Sequence, residues 1–274
     1  MIKLKQILLF ALCISFFACS SESSNSDEEE NQEETTDNTL VKQIVYYKST
    51  ADEFTQTFNY DGNKLNSISD NDGYETKITY SDNKVTRIDN YEDNELLEYF
   101  TVSYNSEGNL TSYINYLFDI DGDDIAYNQI LTYNNDNTVD VEVLRGNFSS
   151  QTEPIGTTTY TISNSNITKL SYDDITDNET YEFDNKKGIF NNILGFEVIN
   201  FININSEFGF DIYGGSNNVT KINDEQDGWP TNSERFEYTY NENGYPVSSE
   251  NYYNDDISNP NEEELLGTIE YNYE

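Results

Sequence analysis

Apolar and polar positions alternate through most of this chain. In Phe54-Thr-Gln-Thr-Phe58-Asn-Tyr60 the aromatics fall on one face, with Thr and Asn on the other. Tyr74-Glu-Thr-Lys-Ile78-Thr-Tyr80 repeats the arrangement, and Val139, Val141 and Val143 share one face of Thr138-Val-Asp-Val-Glu-Val143. A period of two marks a strand with one face buried. The stretches between are rich in Asn, Asp and Gly, which accept positive φ and suit tight hairpin turns. With four Pro in the chain, little interrupts the ladders. The pattern predicts an all-β, antiparallel meander of hairpins from Leu40 onward.

One unit recurs. Phe58-Asn-Tyr60-Asp61-Gly62-Asn63-Lys64-Leu65-Asn66-Ser67-Ile68 reads as a strand ending in Tyr60, a tight turn, and a strand returning through Leu65 and Ile68. Ile78/Tyr80 leads in the same way to Val85 and Ile88, Val102/Tyr104 to Leu110 and Tyr113, and Leu131/Tyr133 to Val139. Tyr160/Ile162 precedes Ile167 and Leu170; Tyr181/Phe183 precedes Ile189; Ile212/Tyr213 precedes Val219 and Ile222. Tyr238/Tyr240 precedes Gly244 and Val247, and Ile269/Tyr271 ends the chain with no returning strand. The units lie about 20 to 31 residues apart, as hairpins with variable far loops would. About eight such hairpins curl into an open or closed barrel rather than staying flat.

The most apolar stretch after the N-terminal segment, Gly188 to Ile204, breaks the repeat. Ile189, Ile193 and Phe196 fit a helical face, while Val198 to Ile204 fits strand equally well, and periodicity leaves the two open. It reads as a buried crossing segment or short helix that plugs the barrel, or as a lid that contacts ligand.

The N-terminus carries an address. Lys3 and Lys5 precede an apolar run, Ile7 to Ala18, of signal-peptide length and too short to span a bilayer. Phe16-Phe17-Ala18-Cys19 resembles a bacterial lipoprotein lipobox with Phe16 where Leu is usual, which implies cleavage before Cys19 and its lipidation. Residues 1–18 are then a signal peptide, 19–38 an acidic tether without apolar residues beyond the cysteine and prone to disorder, and 39–274 a single hairpin-repeat domain. Within the tether, Ser26-Asp27-Glu28-Glu29-Glu30 resembles the signal that exports Bacteroidota-type lipoproteins to the outer face of the outer membrane. Cys13 lies in the segment to be removed, so no disulfide framework is expected.

The aromatic-x-Tyr-x-x-Gly-Asn-x-Leu-x-x-Ile pattern resembles the tyrosine–aspartate (YD, or RHS-type) hairpin repeat. Lipobox, acidic tether and loose hairpins together resemble a family of Bacteroidota lipoproteins of unknown function with a porin-like β fold. The resemblance covers about Leu40 to Glu274 and implies that fold and an envelope location, with no activity or catalytic residue attached. The resemblance to the long secreted RHS toxins does not extend to their separate toxic domain.

Composition narrows the chemistry. Asp and Glu number 52 against 14 Lys and Arg, a formal charge of −38. That balance excludes a nucleic-acid surface and disfavours anionic headgroups, leaving the lipid anchor as the expected membrane contact. The 23 Tyr and 15 Phe argue against wholesale disorder, and tyrosine suits a modest core because its hydroxyl stays polar. A membrane-spanning barrel is disfavoured by the Tyr-heavy apolar face, by strands shorter than the ~9–11 residues a crossing needs, and by the redundancy of a lipid anchor. The chain has no His, which removes Ser-His-Asp, Cys-His and His-metal sites. No phosphate-cradling glycine motif appears, Gly214-Gly215 being isolated.

No cofactor is expected. Asp119-Ile-Asp121-Gly122-Asp123-Asp124 has the crowding of a calcium loop but fails the EF-hand register at Asp124 and Ile130. That stretch and Asp70-Asn-Asp72-Gly73 read as hairpin turns, with structural calcium as the alternative. Three functions remain. The first expectation is a non-catalytic, surface-anchored binding or structural module. Its partner would be a glycan or a protein, with Trp229 in Asp227-Gly228-Trp229-Pro230 as the candidate contact against simple loop packing. The second is a small-ligand carrier or envelope-maintenance lipoprotein using the barrel interior. The third is a hydrolase built on two carboxylates in a cleft.

Overall fold

The structure, a computed structural model, describes residues 38–120, 123–173, 177–204, 206, 214–255 and 263–274. Cys19 and Ser26 to Glu30 therefore lie outside the described residues, as do Asp121, Gly122, Ile212 and Tyr213. The strands are β1 (Val41–Tyr46), β2 (Phe54–Asp61), β3 (Lys64–Asp70), β4 (Tyr74–Ser81), β5 (Lys84–Glu92), β6 (Glu95–Tyr104), β7 (Leu110–Ile120) and β8 (Asp123–Tyr133). They continue as β9 (Thr138–Asn147), β10 (Ser150–Ser163), β11 (Asn166–Tyr172), β12 (Asn178–Phe183), β13 (Val219–Gln226), β14 (Trp229–Tyr240), β15 (Pro246–Asn254) and β16 (Glu264–Tyr273). One helix, α1 (Phe196–Asn203), lies between β12 and β13. Each strand pairs with its sequence neighbours, and β1 pairs with β16, so the expected meander is a closed barrel.

The repeat has a mechanical cause. Leu65 and Ile68, or Val85 and Ile88, lie three apart, which in a regular strand would send them to opposite faces. All four are nevertheless buried inside. A β-bulge reconciles the two facts. Thr79 pairs with Arg87 but Tyr80 pairs with Val85, so Thr86 is the extra residue. The same shift occurs at Tyr60/Leu65, Tyr104/Leu110, Ile162/Ile167 and Phe183/Val219. At three of these bulges a threonine hydroxyl donates across the pair: Thr86 to Thr79 O at 3.1 Å, Thr111 to Ser103 O and Thr168 to Thr161 O at 3.2 Å. The β8–β9 hairpin has no shift, and its buried valines, Val139 and Val141, are two apart.

The recurring tyrosine follows from the bulge. Tyr60, Tyr104 and Tyr238 donate their hydroxyls to the carbonyls of Val41, Val85 and Val219 at 2.7, 2.7 and 2.8 Å. Each acceptor sits at a register shift of the preceding hairpin. A bulge breaks the ladder locally, and the phenol supplies a donor there while its ring joins the core.

Two sequence expectations need correction. The last unit does have a returning strand: Tyr271 pairs with Ile44 and Tyr273 with Val41, with a register shift between Val41 and Gln43. The first strand of the chain completes the last hairpin, and the Glu274 N–H donates to Leu40 O at 3.0 Å. Tyr181/Phe183 leads not to Ile189 but to Val219 and Ile222, because Phe183 pairs with Val219 and Tyr181 with Ile222. Residues 184–218 form an insertion at that turn, which removes Ile189 from the ladder.

The width of the barrel explains the insertion. Wall side chains fill the interior of an eight-stranded barrel, whereas sixteen strands enclose a channel. Here Ile189, Phe190, Ile193 and Phe196 enter from one end, and α1 carries Ile199, Phe201 and Ile202 into the core. Phe201 stacks on Tyr160 at 4.4 Å, and Phe190 on Phe196 at 4.7 Å. The segment read as helix or strand is thus helical over Phe196–Asn203. Gly195, at φ 72°, opens it, with Val85 Cγ2 3.4 Å from where a Cβ would stand.

The outer wall is polar over most of the girth. Following the register, Gln43 meets Thr57, Lys77 meets Asp89, Arg87 meets Thr101 and, past a stretch where Thr101 meets Ile114 and Tyr99 stacks on Tyr116, Asp140 meets Thr159. Glu182 then meets Lys221, Lys221 meets Arg235, and Glu250 meets Thr268. A transmembrane barrel presents apolar side chains at these positions, and Lys or Arg facing lipid at mid-depth costs about 2–4 kcal/mol each.

Candidate functional site

The barrel has two unlike ends. The first, the termini end, carries the chain ends, the β2–β3, β4–β5, β6–β7, β8–β9, β10–β11 and β14–β15 turns, and the insertion. The far end carries the alternate turns.

At the termini end a cleft of about 700 Å³ opens between α1 and the rim of the wall. Val85, Leu110, Ile162 and Ile167 form the wall side, and Ile193, Phe196 and Phe201 the insertion side. Polar groups stand at its edge. The Lys84 ammonium lies 5.1 Å from the centre of the Tyr104 ring, within cation–π range. Glu197, in the first turn of α1, complements the helix dipole. Burial, reinforced by the charge of Glu197, pushes the Tyr104 phenol up to about 12; burial does the same for Tyr80, also to about 12. Both hydroxyls therefore remain protonated donors at neutral pH. The rim pairs further lysines with tyrosines: Lys64 with Tyr80, Lys186 with Tyr240, Lys187 with Tyr245.

Beneath the insertion, toward the far end, the interior turns polar. Glu98, fully buried, accepts from Asn90 Nδ2 at 2.7 Å and Asn115 Nδ2 at 2.9 Å, and also from the Ser206 hydroxyl. Thr76 donates to Asn90 Oδ1 at 2.6 Å. Buried charge needs such partners. Glu179 and Asp224 face each other across β12 and β13; burial raises both carboxyls, while hydrogen bonds from Tyr181 and Asn232 partly oppose it. Neither lines the clefts described here. A smaller cavity of about 190 Å³ lies among β1, β14, β15, β16 and the tip of the insertion. Glu234 and Asn251 give it polar lining.

The sequence-derived candidates are dispersed. Trp229 stands at the tip of the β13–β14 hairpin at the far end, 75% exposed, so loop packing does not account for it. Tyr253, Leu265 and Leu266 are also exposed on β15 and β16. In Asp70-Asn-Asp72-Gly73 the Asp70 carboxylate accepts the backbone N–H groups of Asp72 and Tyr74, both at 2.9 Å; Gly73 takes φ 104°. That is turn chemistry. Ile120 and Asp123 pair across the β7–β8 turn.

Sequence reading missed the inward polar residues. The available signal was parity: counting back by twos from Tyr238 and Phe236 gives Glu234, and counting from Phe58 gives Gln56.

No protein-family model matches the chain, and no curated protein matches it. Among solved structures, a porin-like protein from Bacteroides vulgatus superposes with a TM-score of 0.52 at 13% identity, over 86% of this chain and 99% of that one. A porin-like protein from Bacteroides uniformis gives a TM-score of 0.49 at 15% identity, over 86% and 96%. The Bacteroides vulgatus likeness is one of fold. The chain shares the porin-like architecture, with an interior filled by its own insertion and a wall that is charged outside.

Proposed function

We propose that this chain is a non-catalytic binding protein of the cell envelope, anchored by a lipid on Cys19, that takes a small, largely apolar ligand at the termini-end cleft. The observation that carries the reading is the cleft itself, about 700 Å³ between α1 and the wall. That volume lies in the range of ligand sites, which are mostly apolar with a few orienting polar groups; Lys84 and Glu197 are those groups here. The polar girth supports a barrel held beside a membrane rather than in one. The Ser26 to Glu30 run supports export to the outer face of the outer membrane.

The test is binding of the neutral dye Nile red to the purified protein and to Ile162→Trp, whose larger indole would obstruct the wall side of the cleft. Saturable binding that falls at least tenfold in the variant, with an unchanged circular dichroism spectrum, supports the reading. Equal binding by both proteins overturns it. Protease shaving of intact cells, with a periplasmic protein as leakage control, tests the address.

The exposure of Trp229 favours a second reading, a glycan-stacking rim at the far end. Trp229→Ala would then abolish retention on surface polysaccharide while leaving dye binding intact.

A further inference from the structure

We infer that the smaller interior cavity is a second, independent site, built for a small organic ammonium ion. Its walls are the rings of Tyr46, Phe236, Tyr238 and Tyr271, its floor is Ile189 and Phe190 of the insertion, and Tyr47 lies over it. Tyr47 takes φ 50° in the β1–β2 turn. It rests where a side chain on Gly267 would be: a Cβ there would stand 2.8 Å from Tyr47 Cδ1.

The polar groups of the cavity bear on the ligand's chemistry. Tyr46 donates to Gln56 Oε1 at 3.1 Å, Tyr238 to Val219 O at 2.8 Å, and Tyr271 shares its hydroxyl with Ser249 at 2.9 Å. Those phenols have partners within the protein. Asn251 is 2% exposed, and its Nδ2 donates to Glu234 Oε1 at 2.7 Å. That bond fixes the amide, since a flipped Asn251 would set its oxygen against the carboxylate. The Asn251 Oδ1 is left buried with no partner, a condition native structures rarely leave unanswered. No lysine or arginine is among the described residues lining the cavity. The Asn251 Oδ1 calls for a donor, and the Glu234 carboxylate beside it favours one that carries positive charge.

The rings complete the recognition. Tyr238 lies 6.2 Å from both Phe236, stacked at 24°, and Tyr271, tilted at 33°, so a run of aromatic rings lines one side of the cavity. Aromatic faces around a cation, with a carboxylate beside them, are the recognised environment of ammonium groups. The formal charge of −38 draws cations toward the protein and repels anions. A volume of about 190 Å³ admits an amine of one ring or a short chain.

The experiment is calorimetric titration of the purified protein with benzylammonium, and with benzyl alcohol as the neutral isostere. The expected result is saturable benzylammonium binding at least tenfold tighter than the alcohol, reduced at least tenfold by Glu234→Gln. Asn251→Leu removes the orphaned acceptor together with the donor to Glu234; it should weaken amine binding with an unchanged circular dichroism spectrum. Ile162→Trp should leave amine binding unchanged, which separates this site from the termini-end cleft. Equal affinity for amine and alcohol would overturn the inference. So would amine binding indifferent to both interior variants, or a crystal grown with benzylammonium in which only ordered water contacts Asn251 Oδ1.

Discussion

The termini end and the far end are made of the same strands, yet they solve the barrel's interior differently. At the termini end most hairpins, β8–β9 excepted, repeat one device: a bulge, an apolar pair inward and, at Tyr60, Tyr104 and Tyr238, a tyrosine hydroxyl on a carbonyl at the neighbouring bulge. The insertion then completes an apolar core. At the far end the inward residues are Gln56, Thr76, Asn90, Glu98, Asn115, Glu234 and Asn251, each with its own partners. The repeat is therefore a rule for one half of the barrel. The other half carries individual chemistry.

The sharpest way to break the comparison is to empty the core of the termini end. Phe201→Ala removes the ring that stacks on Tyr160 and meets Tyr113 edge-on. It should cost about 3–5 kcal/mol in chemical denaturation, as large-to-small core changes do. A loss under about 1 kcal/mol would mean that the insertion is not part of the cooperative core.

Next in size is the far-end carboxylate. Glu98→Gln turns an acceptor of three hydrogen bonds into a side chain that also carries donors. The expected loss is about 1–3 kcal/mol, with the termini-end cleft still binding Nile red. Tyr238→Phe leaves the Val219 carbonyl without its phenol and should cost about 1–2 kcal/mol. Tyr46→Phe, whose hydroxyl meets a side chain that can rearrange, should cost less in the same measurement.

The smallest effect is a slope. Burial raises the Glu179 and Asp224 carboxyls in the folded state, so the folded protein binds more protons than the unfolded one between the ordinary carboxylate range and the raised values. Stability therefore increases as pH falls through that window. Melting temperatures should rise as pH falls toward the ordinary carboxylate range, and Glu179→Gln combined with Asp224→Asn should flatten the trend. A wild-type melting temperature that falls over this interval would contradict the assignment.

The sequence made the termini end legible because its physics repeats. Tyr60, Tyr80 and Tyr104, each followed by a Leu or Val and then an apolar residue three further on, announce a hairpin before any coordinates exist. What the spacing did not disclose was why three rather than two: the bulge is invisible in a list of residue types. The insertion shows itself by its apolar density, but its consequence for pairing at Phe183 does not, because local order gives no warning that a returning strand is postponed to Val219. The far end was least legible. Gln56, Glu98 and Asn251 are ordinary polar residues in alternating strands, and only their parity with buried aromatics distinguishes an inward position from an outward one. Trp229 was visible as a lone indole, and its exposure needed the length of the β13–β14 hairpin.

The pairing of Tyr273 with Val41, and of Glu274 with Leu40, has a mechanical consequence. The chain leading into β1 enters at the termini end and runs along the strand axis, with β2 on one side and β16 on the other. A pull through that chain, resisted at the far end, loads two ladders in shear, with their hydrogen bonds sharing the force. A pull that separates the two termini instead opens the β1–β16 seam one bond at a time. The same closure is strong as a leash and weak as a zipper.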